Sequence, residues 1–366
     1  MNSPSLQATH PVAPHALWRK MASFLEENRP FAVVTVIMAH GSTPLPAGAR
    51  ALVEPSGVIH GTVGGGAVEA AAIRFACDAL QTQQVIVFDF DLHGSGPPNP
   101  DPICGGRMRL VVDPNPWAAE NELHKVLLAL DRRERGWWVT QLNESSPWQV
   151  QSAFLPNGEP APLPAPPPSA LQEECMRGGK ALYLPAVAGQ RGEMLMEPLL
   201  PIPRLVMVGG GHVGQAVAAQ AALLGFEVIV VEDRPEFAQP DLFPPHVRTE
   251  CGNIEEILRN MPMDRDTSIV LATRGHSKDA EALRACIHRE MGYLGMIGSR
   301  RKVPLMRKMF IERGWATEEQ WAKLYAPIGL DIGAVSVQEI ATAIMAQIIA
   351  VRRKGSAPRI PLSFEP

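Results

Sequence analysis

Three glycines, Gly209, Gly211 and Gly214, form a G-x-G-x-x-G pattern of the kind that binds the pyrophosphate of a dinucleotide. In such a pattern Gly209 permits a tight turn, Gly211 lets the phosphates approach the backbone, and Gly214 lets a helix pack closely on a strand. The helix that follows offers free N–H groups and a partial positive charge at its N-terminus. Glu232 lies at the distance expected of the acid that binds a ribose. The pattern predicts a nucleotide-phosphate site.

Polar residues after two later strands could complete this site. Arg274, Arg300 and Arg301 have guanidinium groups that pair with phosphates through two hydrogen bonds. His276 could transfer a proton, donate a hydrogen bond or bind a metal ion, and His212 lies inside the glycine-rich turn itself. The alternative is that these residues are ordinary polar residues of surface loops.

A second glycine cluster, Gly64, Gly65 and Gly66, precedes a predicted helix in the first half of the chain. The N-terminus of that helix could bind another anion, and Glu69 falls in its first turn.

A third glycine-containing segment begins with Cys104 and Gly105, where a loop leads into a strand and the backbone could approach a ligand closely. A reactive or sulfur-handling thiol at Cys104 is one interpretation, and a small residue in a tight corner is the other. Cys77 and Cys286 fall within predicted helices, where a buried structural thiol is the better interpretation.

The elements that hold these residues fall into two halves. Residues 205–208 and 226–231 are apolar strands separated by an Ala-rich helix, and strands and helices alternate from there onward. This alternation predicts an α/β fold with a Rossmann-like, doubly wound parallel sheet in the second half, residues 199–366. The first half, residues 1–198, mixes strands, a hairpin and helices in an α+β arrangement. Its prolines concentrate near residues 156–169, which predicts an extended surface excursion.

Composition narrows the class of protein. The chain has 366 residues, 46% of them hydrophobic, and a net charge of −4, values typical of a globular protein and not of a nucleic-acid binder. The five cysteines include no C-x-x-C, which disfavours a zinc site or a disulfide framework. The first residues lack the features of a signal peptide, and no apolar run is long enough to span a membrane, so we expect a cytoplasmic protein.

Taken together and in order, the motifs resemble those of the XdhC/CoxI family of xanthine dehydrogenase accessory proteins. The segments that carry the resemblance are residues 41–44, 61–69, 103–106, 209–214, 273–279, 293–303 and 328–334. In many relatives an Arg follows the first segment, whereas Leu45 and Pro46 stand here and the nearest base is Arg50. Some relatives have a Cys at the position of Ala67, so that Cys104 would act alone in this chain.

The resemblance implies an N-terminal family domain followed by a Rossmann-like domain, often in a homodimer. It also implies a maturation factor, more an accessory protein than an enzyme, that binds molybdenum cofactor as molybdopterin or its dinucleotide form. Such a chaperone protects the sulfurated cofactor and delivers it to an apo molybdenum hydroxylase such as xanthine dehydrogenase. A cysteine desulfurase would be a second partner, and Cys104 would be the candidate thiol near molybdenum.

Two other functions remain open from the residues alone. An NAD(P)-dependent oxidoreductase would use Glu232 on the ribose hydroxyls, although no Tyr-x-x-x-Lys pair is evident. A pure interaction protein would have no use for the intact glycine pattern.

Overall fold

The computed structural model describes residues 15–92, 105–157, 169–186 and 192–361, except for the side chain of His276. Cys104 lies outside this part of the chain. The chain divides into two compact units, Met1–Pro201 and Ile202–Pro366.

The first unit contains an antiparallel five-stranded sheet with the strand order β3-β2-β1-β5-β4. Its strands are β1 (Ala32–His40), β2 (Arg50–Val53), β3 (Ile59–Gly61), β4 (Ile86–Asp91) and β5 (Arg107–Asp113). Its helices are α1 (Ala16–Glu26), α2 (Gly66–Thr82) and α3 (Glu120–Asp131). In α2 the buried positions Val68, Ala72, Ala76 and Ala79 recur at helical spacing and pack on the sheet. A 3-10 turn, Pro116–Ala119, leads directly into α3.

A second antiparallel sheet in the same unit has the order β7-β6-β9-β8. Its strands are β6 (Gly136–Asn143), β7 (Gln149–Pro156), β8 (Leu182–Leu184) and β9 (Glu193–Leu199), and α4 (Ser169–Gly178) precedes β8.

The second unit is a parallel five-stranded sheet with the order β12-β11-β10-β13-β14, the Rossmann-like fold that the alternating pattern predicts. Its strands are β10 (Arg204–Val208), β11 (Glu227–Glu232), β12 (Arg248–Cys251), β13 (Thr267–Leu271) and β14 (Tyr293–Met296). Its helices are α5 (His212–Leu223), α6 (Ile254–Asn260), α7 (His276–Cys286), α8 (Lys302–Glu312), α9 (Glu318–Lys323) and α10 (Val337–Lys354).

Alternate residues of β10 face opposite layers of helices, so the sheet is covered on both faces. Val206 and Val208 pack with α6, α7 and α8, whereas Leu205 and Met207 pack with α5 and α10. The chain order reverses between β10 and β13, and ligands of such sheets bind at this reversal, beyond the carboxyl ends of the strands.

Candidate functional site

The turns after β10 and β13 lie in contact at the point of reversal. Gly209 has a φ of +110°, and a Cβ there would lie 2.4 Å from the carbonyl oxygen of Ala272. No other residue fits, because a side chain would collide with the neighbouring backbone and because L-residues avoid this φ. The glycine therefore fixes the close approach of the two loops.

Packing within the chain also explains Gly210 and Gly214 but not Gly211. A Cβ at Gly210 would lie 2.1 Å from the carbonyl oxygen of Phe237, and one at Gly214 would lie 1.9 Å from that of Gly209. At Gly211 a Cβ would meet no described atom within 4 Å. The absence of a side chain at Gly211 thus leaves open space at the start of α5.

That open space lies at a helix N-terminus with no cap of its own. Gly211 is the N-cap of α5 and supplies no side-chain hydrogen bond, and the first turn contains no acidic residue. The first N–H groups of a helix need an outside acceptor, and the helix dipole favours an anion there. His212, the first helical residue, is exposed beside this end.

Glu232 lies at the end of β11 and is bound to the glycine-rich turn. Its side chain is 2% exposed, and its Oε2 accepts a hydrogen bond of 2.8 Å from the backbone N–H of Gly210. Its Oε1 accepts from the N–H groups of Asp233 and Arg234, at 3.1 and 3.2 Å. Burial by itself raises the pKa of this carboxyl, but the hydrogen bonds from Arg234, Gly210 and Asp233 outweigh it and lower the pKa to about 2.

Arg234 covers the carboxylate from the other side. Its Nε and Nη2 atoms donate to the two oxygens of Glu232, each at 3.0 Å, and its guanidinium lies 4.0 Å from the ring centre of Phe237. Both carboxylate oxygens therefore already have partners within the chain. A ribose could reach Glu232 only by displacing Arg234.

A buried cluster that the sequence analysis did not single out joins the loops after β13 and β14. Asp279, 2% exposed in the first turn of α7, accepts a hydrogen bond of 3.1 Å from the N–H of Thr273 and pairs with the Nζ of Lys302 at the start of α8. Lys278, next to it, lies 3.6 Å from Asp233 after β11. In the sequence Asp279 is marked only as an acid in the first turn of a helix, a feature that most helices share.

The other predicted residues of this site lie around the same edge. Arg274 is exposed, and Arg300 is half-buried with its guanidinium 4.0 Å from the carboxylate of Asp331. His276 begins α7, but its side chain lies outside the described residues. The ligand roles of these residues stay predictions.

In the first unit, the turn at Gly64, Gly65 and Gly66 has φ values of +133°, +70° and +52°. A Cβ at Gly65 or Gly66 would meet no described atom within 4 Å, so this turn also leaves open space before a helix, α2. Glu69 accepts a hydrogen bond of 2.8 Å from the hydroxyl of Thr62, which orders the turn from within.

One loop contacts both glycine clusters of the first unit. A Cβ at Gly64 would lie 2.9 Å from the Cγ of Pro44. A Cβ at Gly41 would lie 3.0 Å from the carbonyl oxygen of Gly105, and one at Gly106 would lie 2.3 Å from that of Ser42. The loop 41–44 therefore brings together segments more than 35 residues apart, and Gly105, the residue after Cys104, is exposed there.

Arg50, the base nearest to this loop in the sequence, is used elsewhere. Its Nη2 donates to Glu197 at 2.5 Å, its Nε donates to the hydroxyl of Thr35 at 3.1 Å, and its guanidinium lies 4.8 Å from the ring of Trp18. Burial raises the pKa of the Glu197 carboxyl, and the charge of Arg50 opposes that rise. Arg50 is thus part of a buried ion pair.

Among the residues that the structure describes, no group of three or more His, Cys, Asp or Glu side chains is placed to hold a metal ion. The same residues include no helix long and apolar enough to cross a membrane.

Two family models match the chain. The XdhC Rossmann domain matches residues 205–348, and the XdhC and CoxI family matches residues 24–91. A crystal structure described as that of a xanthine dehydrogenase from Bacillus halodurans has a TM-score of 0.71 and 22% identity, covering 92% of this chain and 96% of the other. This likeness shows a shared fold.

Three curated relatives are similar over most of the chain. The uncharacterized protein YqeB of Escherichia coli is 28% identical over 93% of this chain, which spans only 47% of that relative. A probable xanthine dehydrogenase subunit of Bacillus subtilis is 25% identical, covering 91% of this chain and 96% of the relative. The molybdenum cofactor insertion chaperone PaoD of Escherichia coli is 25% identical, covering 87% and 83%. With its Rossmann-like second unit and matches to both family models, the chain belongs to the XdhC and CoxI family.

Proposed function

We propose that this protein binds molybdenum cofactor and delivers it to an apo molybdenum hydroxylase of the xanthine dehydrogenase type. The names of two relatives, a molybdenum cofactor insertion chaperone and a probable xanthine dehydrogenase subunit, support this assignment. The observation that carries it is the open space at Gly211. Every other glycine of the turn is required by the chain's own packing, whereas the one at Gly211 leaves room for a ligand.

The chemistry of this end of α5 suits the cofactor. Molybdopterin carries a phosphate, and its dinucleotide form carries a pyrophosphate. Uncapped N–H groups and the positive end of a helix dipole attract such groups. In this proposal the turn 209–211 binds the phosphate, with His212, Arg274 and Arg300 as candidate neighbours.

The first unit offers a separate set of ligands. The backbone of Gly65 and Gly66 faces open space, and Gly105 is exposed beside the loop 41–44. We propose that this region contributes to cofactor binding and that Cys104, directly before Gly105, is the thiol that contacts the molybdenum or its sulfur. Protection of the sulfurated form, transfer from a cysteine desulfurase, a homodimer and a cytoplasmic location belong to the same proposal.

The alternative function, an NAD(P)-dependent oxidoreductase, fits the geometry less well. An NAD site needs a free carboxylate at the end of the second strand, to accept from the ribose hydroxyls. Both oxygens of Glu232 accept hydrogen bonds from Gly210, Asp233 and Arg234 instead.

The test is to express the full chain in a host that makes molybdenum cofactor, purify it, and measure molybdenum together with the fluorescence of the oxidised pterin. We expect both signals in a fixed ratio. The purified, loaded protein should then restore activity to an apo molybdenum hydroxylase. A protein that retains no pterin yet binds NAD in the micromolar range or tighter would refute the proposal.

A further inference from the structure

A groove of about 590 Å³ runs between α7 and α8 of the second unit. α7 contributes Ala280, Glu281 and Arg284 to its walls, and α8 contributes Leu305, Met306 and Met309. Residues three and four apart share one face of a helix, so each helix turns a single face towards the groove. Along α8 the groove extends from Lys302 to Arg313, which corresponds to roughly 16 Å or three helical turns.

The floor of the groove is apolar, although it is open to solvent. Met306 is buried, Met309 is half-buried, Leu305 is 70% exposed, and Trp315 also lines the groove. Methionine side chains adapt their shape to a partner, and exposed apolar surface of this kind marks interaction sites.

Positive charge beside Trp315 is only partly neutralised by the residues that the structure describes. Arg284 and Arg313 both lie over the ring of Trp315, at 5.1 and 4.9 Å. Arg284 also pairs with Glu255 at 2.8 Å, but the guanidinium of Arg313 has no carboxylate partner among the described residues. The acid of the groove, Glu281, pairs with Lys278 at 3.1 Å. A partner that supplies a carboxylate next to Trp315 would complete the charge pattern.

We propose that this groove docks an amphipathic helix of the apo molybdenum hydroxylase, with apolar side chains on one face and a carboxylate that pairs with Arg313. This inference rests on the proposed function, which supplies the identity of the partner. Two helices that form a three-turn groove with an apolar floor match the way in which amphipathic helices are bound elsewhere.

A second copy of the same chain fits the groove less well. In a twofold dimer the same patch would face itself. Of the cations of α8 and its end, Lys302 pairs with Asp279, Arg307 with Glu318 and Lys308 with Glu312. The groove of a second copy would bring no unpaired carboxylate to Arg313, because its acid, Glu281, already pairs with Lys278. A partner helix with a free carboxylate would supply one.

The position of the groove suits a protein that hands over a ligand. Lys302 lines the groove and also pairs with Asp279, which binds the N–H of Thr273 in the loop after β13. A helix in the groove would therefore lie beside the loops at which we propose that the phosphate is bound.

Two single variants, Leu305→Asp and Arg313→Glu, test the proposal, and Leu223→Asp is the matched control. Leu223, 80% exposed, is a leucine of similar exposure at the end of α5 and outside the groove. Binding of purified apo molybdenum hydroxylase from the same organism is measured by calorimetry, with retained molybdenum and pterin measured in parallel. We expect each groove variant to bind the hydroxylase at least tenfold more weakly, while the control binds like the unaltered protein. All three should keep their cofactor and their unfolding temperature.

Undiminished binding by both groove variants, equal weakening by Leu223→Asp, or no binding by the unaltered protein would overturn the docking proposal. If the proposed function itself is wrong, the result is different, because the unaltered protein then retains no pterin.

Discussion

The carboxylate of Glu232 accepts a hydrogen bond of 2.8 Å from the backbone N–H of Gly210, which lies 22 residues earlier in the chain. This contact ties the end of β11 to the glycine-rich turn after β10. A residue that the sequence pattern assigns to a ligand thus holds the shape of the turn itself, and its charge is compensated by Arg234 at 3.0 Å.

The first prediction concerns pH and Glu232. Its pKa is lowered from 4.5 to about 2 in the folded protein, so the ionised carboxylate stabilises the fold. This contribution is complete above pH 4.5 and is lost as the pH falls towards 2. The shift corresponds to about 3 kcal/mol of unfolding free energy. Glu232→Gln should therefore be less stable at pH 7, and its difference from the unaltered protein should shrink at pH 3. Urea unfolding of the two proteins at pH 7 and at pH 3 measures their difference in stability. An equal difference at the two pH values would contradict the prediction.

The second prediction compares two glycines of one turn. Gly214→Ala places a Cβ 1.9 Å from a carbonyl oxygen and should cost about 3 kcal/mol or more. Gly211→Ala meets no described atom and should change stability by less than about 1 kcal/mol, yet it should weaken cofactor binding at least tenfold. Thermal unfolding and pterin fluorescence separate the two effects. Normal pterin retention by Gly211→Ala would count against a phosphate site at this turn.

A third prediction concerns the pair of Asp279 and Lys302, whose side chains are 2% and 14% exposed. Lys302→Met leaves a charged carboxylate buried without its cation, which costs about 3 kcal/mol. Asp279→Asn should cost less, because the amide oxygen can still accept from Thr273 and because Lys302 can reach solvent. We therefore expect Lys302→Met to lower the unfolding temperature more than Asp279→Asn does. The reverse result would show that the hydrogen bond to Thr273 contributes more to stability than the ion pair does.

A fourth prediction addresses the thiol in the first unit. Cys104→Ala should lower the molybdenum retained per protein at least fivefold while the pterin is still bound, because the thiol is proposed to contact the metal end. Cys251→Ala is the control, since that cysteine is exposed on β12 of the second unit. Equal molybdenum content in the two variants would show that Cys104 does not contact the metal.

The fifth prediction concerns the buried pair of Arg50 and Glu197. Arg50→Met leaves the Glu197 carboxylate unpaired and should destabilise the protein by about 3 kcal/mol. A double variant with Glu197→Met should recover much of this loss, because apolar side chains can replace a buried ion pair. Calorimetric unfolding of the single and double variants measures the recovery. No recovery in the double variant would mean that Arg50 stabilises the fold through packing and not through its charge.

Local patterns in the sequence determined the second unit. The apolar strands, the glycines and the Ser336–Glu339 capping box, which the structure contains, are all short-range signals with a direct physical meaning. The family followed from the order of such motifs. Neither source revealed β7, β8 and β9 of the first unit, whose alternation is weak. The short edge strand β12 of the second unit was not predicted either.

Only the tertiary structure decided how individual side chains are used. It turned Glu232 inward onto Gly210, paired Arg50 with Glu197 across 147 residues, and buried Asp279 beside Lys302. It also separated Gly211, which faces open space, from three neighbouring glycines that packing requires. The physical reason is that a residue's type fixes the bonds it can make, whereas its partners depend on contacts between segments that only folding brings together.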